Sequence, residues 1–206
     1  MSITGIINYG SGNFTSVWNA MQHLELEIRE VESPEAMEGV DRLILPGVGA
    51  FPAAMKRLEQ MQLIPALKYH VLERRIPFLG ICVGMQVLAE LGHEFETCAG
   101  LGWVSGEVKR FNLDQSDLPV PHMGWNELVV TGDCPLFQRM DDNPSFYFVH
   151  SYRFEPRDPA TTAAHCDYGE SFCACVQRDH IFGVQFHPEK SQHDGLTLLE
   201  NFCTLN

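Results

Sequence analysis

Cys82 lies between two glycines in the stretch GICVGMQVL, residues 80–88. It ends an apolar run and begins a helix-like pattern. This strand–turn–helix order is typical of a nucleophile elbow, whose flanking glycines permit a tight turn. The thiolate is the reactive form of cysteine, and a helix N-terminus lowers the pKa of a thiol through its dipole and N–H groups. The pattern predicts a reactive sulfur, although a buried structural cysteine fits this stretch as well.

A second candidate group lies in the segment GVQFHPEKSQ, residues 183–192, which contains His187 and Glu189. On an extended chain these two side chains would point to the same side, about 6.6 Å apart along the strand. The carboxylate could then hold one imidazole nitrogen and leave the other for a thiol. Pro188 removes a backbone donor and favours the margin of a sheet. Such a pair alone is usually a surface feature, but with Cys82 it predicts a Cys-His-Glu triad.

A third candidate is LPGVGAF, residues 45–51, in which two glycines follow an apolar run. Glycines leave backbone N–H groups uncrowded by side chains. The N–H groups near Val48 and Gly49, together with that of Val83, could form an oxyanion hole. An ordinary strand-to-helix turn explains the two glycines equally well.

The first half of the chain alternates short β-branched runs with helical patterns. The predicted strands are residues 3–8, 26–31, 42–46 and 77–82, and the predicted helices are residues 14–24, 50–61 and 63–75. This alternation predicts an α/β, flavodoxin-like fold with a mostly parallel central sheet and helices on both faces. Active sites in such sheets lie beyond the carboxyl ends of the strands, so the three glycine-bearing turns should converge there.

The second half is rich in strands with few helices between them. The predicted strands are WVSGEVKRF, WNELVV, SFYFVHSYRF, TTAAHCDYG, SFCACVQR and HIFGVQFH. They predict an antiparallel section that continues or flanks the same sheet. A closing helix is predicted over residues 193–203. We expect one domain over residues 1–206, because no repeat or low-complexity linker divides the chain.

Composition excludes several classes of function. The net charge of −13 argues against a nucleic-acid surface, which needs clustered lysine and arginine. No window approaches a membrane span, and the N-terminal residues lack a secretion-signal pattern, so we expect a cytoplasmic protein. The seven cysteines are interpreted as thiols. His165, Cys166, Cys173 and Cys175 lack the spacing of a zinc site, and neither a metal nor a cofactor is expected.

Together these motifs resemble the class I, triad-type glutamine amidotransferases. The family motif G-x-C-x-G-x-Q is matched by Gly80, Cys82, Gly84 and Gln86, and His-Pro-Glu is matched by residues 187–189. Further stretches are similar to the glutaminase subunits of imidazole glycerol phosphate synthase. In chain order the matching stretches are NYGSGN (8–13), LPGVGAF (45–51), GICVGMQ (80–86), PHMGWN (121–126), FVHSY (148–152) and FHPEKSQ (186–192).

The resemblance implies the class I amidotransferase fold and hydrolysis of glutamine to glutamate and ammonia. Cys82 would attack the side-chain amide, His187 would carry the proton and Glu189 would orient His187. The backbone N–H groups at Val48–Gly49 and Val83 would meet the oxyanion.

The resemblance also implies a set of substrate-binding residues. They are Gly47, Gly49, Gln86, Glu94, His150, Ser151 and Tyr152. Glu96 is a rival to Glu94, because GHEFET replaces the more acidic stretch of the family. Val83 stands where leucine is usual, a change that should leave the backbone N–H intact.

Ammonia released into water would be protonated and lost as a nucleophile. The resemblance therefore implies a heterodimer with a (β/α)₈ cyclase, which receives ammonia by a shielded route. The joint products would be imidazole glycerol phosphate and an aminoimidazole carboxamide ribotide, in histidine biosynthesis. The residues matching partner-facing or gating positions are Asn13, Ser16, His122, Trp125 and Lys190. Trp125 could instead be core, and Lys190 a solvated charge.

Three alternatives stay open from the sequence. The chain could be the glutaminase subunit of another synthase, of the sugar-modifying or vitamin B6 type. It could be a flavodoxin-like cysteine hydrolase without glutamine chemistry, against which Gln86 and the His-Pro-Glu motif count. A non-catalytic binding subunit is disfavoured by the intact triad.

Overall fold

The computed structural model describes residues 2–113 and 116–205 of the chain. Its strands are β1 (Thr4–Ile7), β2 (Ile28–Val31), β3 (Arg42–Gly47), β4 (Phe78–Cys82), β5 (Leu91–Gly92), β6 (Cys98–Ala99), β7 (Gly106–Arg110), β8 (His122–Glu127), β9 (Val129–Val130), β10 (Ser145–His150), β11 (Tyr152–Pro156), β12 (Thr162–Asp167), β13 (Ser171–Arg178) and β14 (Ile181–Val184). Its α-helices are α1 (Phe14–His23), α2 (Phe51–Gln60), α3 (Leu63–Lys68), α4 (Val83–Gln86) and α5 (Gln192–Cys203). Short 3₁₀ helices span Glu35–Met37, Pro135–Phe137, Pro159–Thr161 and Pro188–Lys190.

The first half of the chain builds a parallel sheet, as predicted. The strand β14, which the sequence pattern assigned to the antiparallel section, joins this sheet in parallel beside β4. The strand order is β2-β1-β3-β4-β14, and each neighbouring pair in this series is parallel. Every residue of β1, β3, β4 and β14 is buried, which is typical of parallel strands covered on both faces. The strands β1, β3 and β4 each end in one of the glycine-bearing turns, which places the three turns at one edge.

The second half continues this sheet with antiparallel strands. The strand β13 pairs antiparallel with β14, β11 and β12, and β7 pairs antiparallel with β11. The strands β8 and β10 form a separate antiparallel pair. The predicted strand WNELVV is therefore divided, because β8 pairs with β10 whereas β9 pairs with β12. The buried Leu128 lies at the division.

The helix predicted over residues 63–75 does not stay α-helical. The α-helix α3 ends at Lys68, and a wider π-helical turn continues over Tyr69–Glu73. Its N–H groups reach five residues back, as the 2.9 Å bond from Arg74 N to Tyr69 O shows. The closing helix, predicted over residues 193–203, is confirmed as α5.

The buried apolar residues form one continuous cluster that extends from Ile6 to Cys203. It therefore includes side chains of both the parallel and the antiparallel part. No helix within the described residues has the length and apolar composition needed to cross a bilayer.

Candidate active site

Cys82 is the last residue of β4 and directly precedes α4, at a strained turn. Its φ of 55° and ψ of −109° lie outside the regions that non-glycine residues favour. The turn is tight because the glycines have no Cβ, which allows neighbouring backbone segments to approach closely. A Cβ on Gly80 would lie 2.3 Å from the carbonyl oxygen of Gly84, and one on Gly84 would lie 2.0 Å from the carbonyl oxygen of Leu45. The glycines therefore hold the cysteine at the start of a helix.

His187 and Glu189 form a buried pair beyond the end of β14. His187 Nδ1 lies 2.8 Å from Glu189 Oε1, and both side chains are fully buried. The segment is not extended as predicted, because Pro188–Lys190 forms a 3₁₀ turn. This turn still brings the carboxylate to the imidazole. Since a carboxylate oxygen can only accept, the proton of this bond sits on Nδ1, and Nε2 is left for another group.

Asn13 provides a second hydrogen bond to the triad carboxylate. Its Nδ2 donates to Glu189 Oε1 at 3.1 Å, and its own Oδ1 accepts from Ser11 Oγ at 2.7 Å. The Asn13 side chain is buried, at 2% exposure. The prediction of Asn13 as a partner-facing residue is therefore wrong for this conformation: it faces inward and supports Glu189.

The charge of His187 is set by competing effects. Burial lowers its pKa and is the largest single effect, but the Cys82 sulfur and the Glu189 carboxylate together outweigh it and raise the pKa to about 10. Nε2 makes no hydrogen bond of standard geometry within the described residues, yet the sulfur is close enough for this electrostatic effect. At neutral pH the ring is an imidazolium beside Cys82.

A cavity of about 490 Å³ opens beside Cys82, a size suited to a small molecule. Most of the predicted substrate residues line it. They are Gly49, Gln86, Glu94, His150, Ser151 and Tyr152. Val48, Val83, Phe95 and Pro121 line the cavity as well. The sequence reasoning missed Phe95, an aromatic residue that is 87% exposed.

Gly47 does not line this cavity, contrary to the prediction. It packs behind the elbow, where an added Cβ would lie 2.7 Å from Gly84 N and 2.8 Å from the Tyr9 hydroxyl oxygen. Its role is therefore close packing rather than substrate contact. Burial raises the pKa of that tyrosine to about 12, so the hydroxyl keeps its proton.

Of the two rival carboxylates, the structure favours Glu94. Its Oε2 accepts a hydrogen bond of 2.8 Å from the N–H of Phe51, the first residue of α2. The side chain also lines the cavity, and burial raises its pKa. Glu96 instead lines a separate groove on the other side of the turn.

Gln185 is a residue of the site that the sequence reasoning missed. It is fully buried, its Nε2 lies 3.6 Å from Cys82 Sγ, and its Oε1 accepts a hydrogen bond of 2.9 Å from Gln86 Nε2. The available signal was its position, since it precedes His187 by two residues in GVQFHPE and shares a side of an extended chain with it.

The N–H of Val48 is not directed at the cavity. It donates a hydrogen bond of 3.1 Å to Ser11 Oγ in the first glycine-bearing turn. The prediction of Val48 as an oxyanion donor is therefore wrong for this conformation, because its donor is already used. Gly49 follows at a φ of 95°, a conformation that favours glycine.

The known proteins similar to this chain match it over almost its whole length. The family model for glutamine amidotransferase class-I matches residues 6–205. The chain belongs to this family.

Individual relatives show to which group within the family the chain is similar in sequence. The chain is 46% identical to "Imidazole glycerol phosphate synthase subunit HisH 1" of Campylobacter jejuni (strain RM1221), with 97% of this chain and 98% of the relative covered. It is 43% identical to "Imidazole glycerol phosphate synthase subunit HisH" of Leptospira interrogans, with 98% and 99% covered. These identities place the chain among the HisH-type glutamine amidotransferases and confirm the resemblance in its sequence.

Solved structures confirm the predicted fold class. A structure titled "Crystal structure of glutamine amidotransferase" superposes with a TM-score of 0.74 at 22% identity, covering 97% of this chain and 98% of the other. The "Structure of PurLQS from Thermotoga maritima" gives a TM-score of 0.72 at 18% identity, with 98% and 97% covered.

A pair of buried histidines, His122 and His150, lies beside this amidotransferase site, and His150 lines its cavity. His150 Nδ1 donates to Tyr152 O at 2.8 Å, so its Nε2 accepts the 3.1 Å hydrogen bond from His122 Nδ1. Burial lowers the pKa of His122 to about 4 and that of His150 to about 3. His122 is 2% exposed and stacks on Phe148, so its prediction as a partner-facing residue is wrong for this conformation.

The remaining predicted interface residues do reach the surface of the glutamine amidotransferase. Trp125 is 49% exposed on β8, opposite Tyr147 of β10, and Lys190 Nζ lies 5.9 Å from the Tyr147 ring centroid. Met123, on the same strand, is 62% exposed. We call these four side chains the β8–β10 patch. Ser16, on α1, is partly buried.

The described residues contain no cluster of three or more side chains suited to a metal ion. His165, Cys166, Cys173 and Cys175 instead lie on the paired strands β12 and β13, and these three cysteines are buried thiols.

Proposed function

We propose that Cys82, His187 and Glu189 hydrolyse glutamine to glutamate and ammonia through a thioester on Cys82. The observation that carries the proposal is the fully buried His187–Glu189 pair of 2.8 Å beside a strained cysteine at the wall of a cavity. The strained turn, the charged imidazole and the cavity together provide a nucleophile, its proton carrier and room for a substrate.

The reaction proceeds in two halves on these residues. The Cys82 sulfur attacks the side-chain carbonyl carbon of glutamine, and the His187 imidazolium gives its Nε2 proton to the departing nitrogen, which leaves as ammonia. The neutral ring then accepts a proton from water, whose oxygen attacks the thioester and releases glutamate. Glu189 and Asn13 keep the ring in the orientation that both halves need.

The oxyanion formed in both halves needs backbone donors. We assign this role to the N–H groups of Val83 and Gly49, because both residues line the cavity together with Cys82. The N–H of Val48 can join them only after it leaves Ser11 Oγ, so the loop that follows β3 must rearrange for full activity. This requirement offers a means of keeping the isolated subunit slow.

Substrate glutamine would be held at several points of the cavity. Gln86 uses its amide N–H groups on Tyr152 O and Gln185 Oε1, so its Oε1 remains for the amide N–H of the substrate. Glu94 supplies a carboxylate for the substrate ammonium. Ser151 and the neighbouring backbone of Tyr152 would supply further polar contacts, since both residues line the cavity.

The ammonia is proposed to pass to a cyclase subunit with a (β/α)₈ barrel. The relatives are named as subunits of imidazole glycerol phosphate synthase, and a subunit implies a partner. The β8–β10 patch supports a docking surface there, because Trp125 and Met123 are exposed and tryptophan, tyrosine and methionine are enriched in protein interfaces. The joint products would be imidazole glycerol phosphate and aminoimidazole carboxamide ribotide, in histidine biosynthesis.

The organisation we propose is one domain over residues 1–206 that works in the cytoplasm. One continuous core from Ile6 to Cys203 supports the single domain. The biosynthetic role of the relatives supports the location.

The test combines covalent labelling with turnover in the presence of the cyclase. A glutamine-site affinity label should modify Cys82 far faster than the other thiols, as read by peptide mass spectrometry. Cys82→Ala should abolish ammonia release while the far-ultraviolet spectrum stays unchanged. Cys98→Ala is the matched control, because this partly buried thiol lies in a separate groove. Retained turnover in Cys82→Ala would refute the nucleophile assignment.

A further inference from the structure

The orientation of the Gln86 side chain follows from an acceptor that cannot donate. The backbone carbonyl of Tyr152 lies 3.1 Å from one terminal atom of Gln86, so that atom must be the amide nitrogen. The same nitrogen lies 2.9 Å from a terminal atom of Gln185, which must therefore be the accepting Oε1.

The orientation of Gln185 then follows in turn. With Oε1 directed at Gln86, its Nε2 is directed at Cys82 Sγ, at 3.6 Å, within the range of hydrogen bonds to sulfur. The side chain is held in this orientation, because Gln185 is fully buried and both ends of its amide are engaged. One amide thus joins the residue that would hold the substrate to the sulfur that would attack it.

We propose that Gln185 is a further catalytic residue, which donates a hydrogen bond to the Cys82 sulfur and holds Gln86 in its binding orientation. This proposal rests on the proposed function, since it assigns a second contact to the same nucleophile. Hydrogen bonds to charged acceptors are stronger than those to neutral ones, so the contact favours the thiolate over the thiol. The imidazolium of His187 and the amide of Gln185 would stabilise the sulfur together.

The contact also limits where the sulfur can point. A thiolate has no directional preference of its own, and Cys82 has one side-chain torsion that could rotate the sulfur. The amide N–H of Gln185 restricts that torsion. Loss of Gln185 should therefore affect both the reactivity of the Cys82 sulfur and the orientation of Gln86 towards the substrate.

The test replaces Gln185 by methionine, which keeps the length of the side chain but neither donates nor accepts here. We expect the pH midpoint for alkylation of Cys82 by iodoacetamide to rise by about one unit, which lowers the alkylation rate about tenfold at pH values below the midpoint. Glutamine turnover with the cyclase should fall about tenfold or more in kcat/KM, with kcat affected as well as KM.

Gln185→Glu provides a second variant of the same shape should methionine prevent folding. Its carboxylate would repel the thiolate, and we expect the alkylation midpoint to rise further than in Gln185→Met. The glutamine turnover of Gln185→Glu, divided by that of the unchanged protein, should increase as the pH falls, because a protonated carboxyl group can again donate a hydrogen bond to the sulfur. A purely structural role for Gln185 would produce no such pH dependence.

Gln177→Met is the matched control, because Gln177 lies on β13 in a groove away from the cavity. It should leave both measurements unchanged. The inference is overturned if Gln185→Met folds and alkylates with the same midpoint as the unchanged protein. The proposed function fails separately, if the unchanged protein shows no selective labelling of Cys82 and no glutamine turnover with the cyclase.

Discussion

Two sets of buried histidines in this site differ in charge: His187 is positively charged, whereas His122 and His150 are neutral. His187 has its pKa raised to about 10, whereas His122 and His150 have theirs lowered to about 4 and 3. All three rings are at most 6% exposed. Burial acts on each ring in the same direction, since it always disfavours the charged form. The difference therefore comes from the hydrogen-bond partners.

Glu189 and the Cys82 sulfur supply negative charge to His187 and outweigh its desolvation. His122 and His150 instead bind each other, a backbone carbonyl and the side-chain amide of Asn126. A neutral partner cannot offset the loss of water around an imidazolium. The same residue type therefore serves as a proton carrier where its partners are charged and as a fixed neutral hydrogen-bond link where its partners are neutral.

The largest expected effect comes from Glu189→Gln, which keeps the shape of the side chain and removes its charge. The His187 imidazolium would lose its carboxylate, and we expect glutamine turnover with the cyclase to fall about a hundredfold or more. Ammonia release measures this effect. Glu96→Gln is the matched control, since that carboxylate lies outside the cavity. Near-normal turnover in Glu189→Gln would show that the carboxylate does not support catalysis.

The charge difference can be observed directly by nuclear magnetic resonance of the histidine rings. We expect His187 to carry both ring protons from pH 6 to pH 9 and to titrate near pH 10. His122 and His150 should stay neutral down to about pH 5. A His187 signal that titrates near pH 6.5 would contradict the ion pair with Cys82 and Glu189.

A smaller effect is expected on acid stability. Because the folded pKa of His122 is lowered to about 4, the stability from its neutral burial is complete above pH 6.5 and is lost as the pH falls towards 4. His122→Phe should remove this loss while keeping a ring against Phe148. The free energy of unfolding is measured with urea at pH 6.5 and at pH 4.5. We expect its decrease between these pH values to be about 1 kcal/mol smaller in His122→Phe than in the unchanged protein.

The loss of the hydrogen bonds that join His122 to Asn126 and to His150 is common to both pH values and cancels in this difference. An equal acid dependence in His122→Phe and the unchanged protein would show that His122 does not titrate in this range.

The smallest effect is expected from Ser11→Ala, which removes the acceptor that holds the Val48 N–H away from the cavity. One hydrogen bond contributes about 1 kcal/mol, so glutamine hydrolysis without the cyclase should rise about fivefold. Ammonia release by the isolated chain measures this change. Ser171→Ala, at the exposed start of β13, is the control. A fall in Ser11→Ala would mean that the bond from Ser11 to Asn13 matters more.

Local sequence patterns predicted most of the fold and the triad. The alternation of strands and helices, the glycines around Cys82 and the spacing of His187 and Glu189 each concern a few neighbouring residues. The structure differs from the sequence predictions where a side chain binds a partner that is distant in the chain. The family resemblance implied partner-facing or gating positions for Asn13 and His122, yet Asn13 binds Glu189 and His122 binds His150.

By itself the sequence determined the parallel sheet, the elbow at Cys82 and the family of the chain, because steric rules and motif spacing act over short stretches. Only the tertiary structure decided which N–H groups face the cavity, that Gln185 reaches the Cys82 sulfur, and which histidines carry charge. These features depend on groups far apart in the chain, whose burial and partners are established only when the strands and loops pack together.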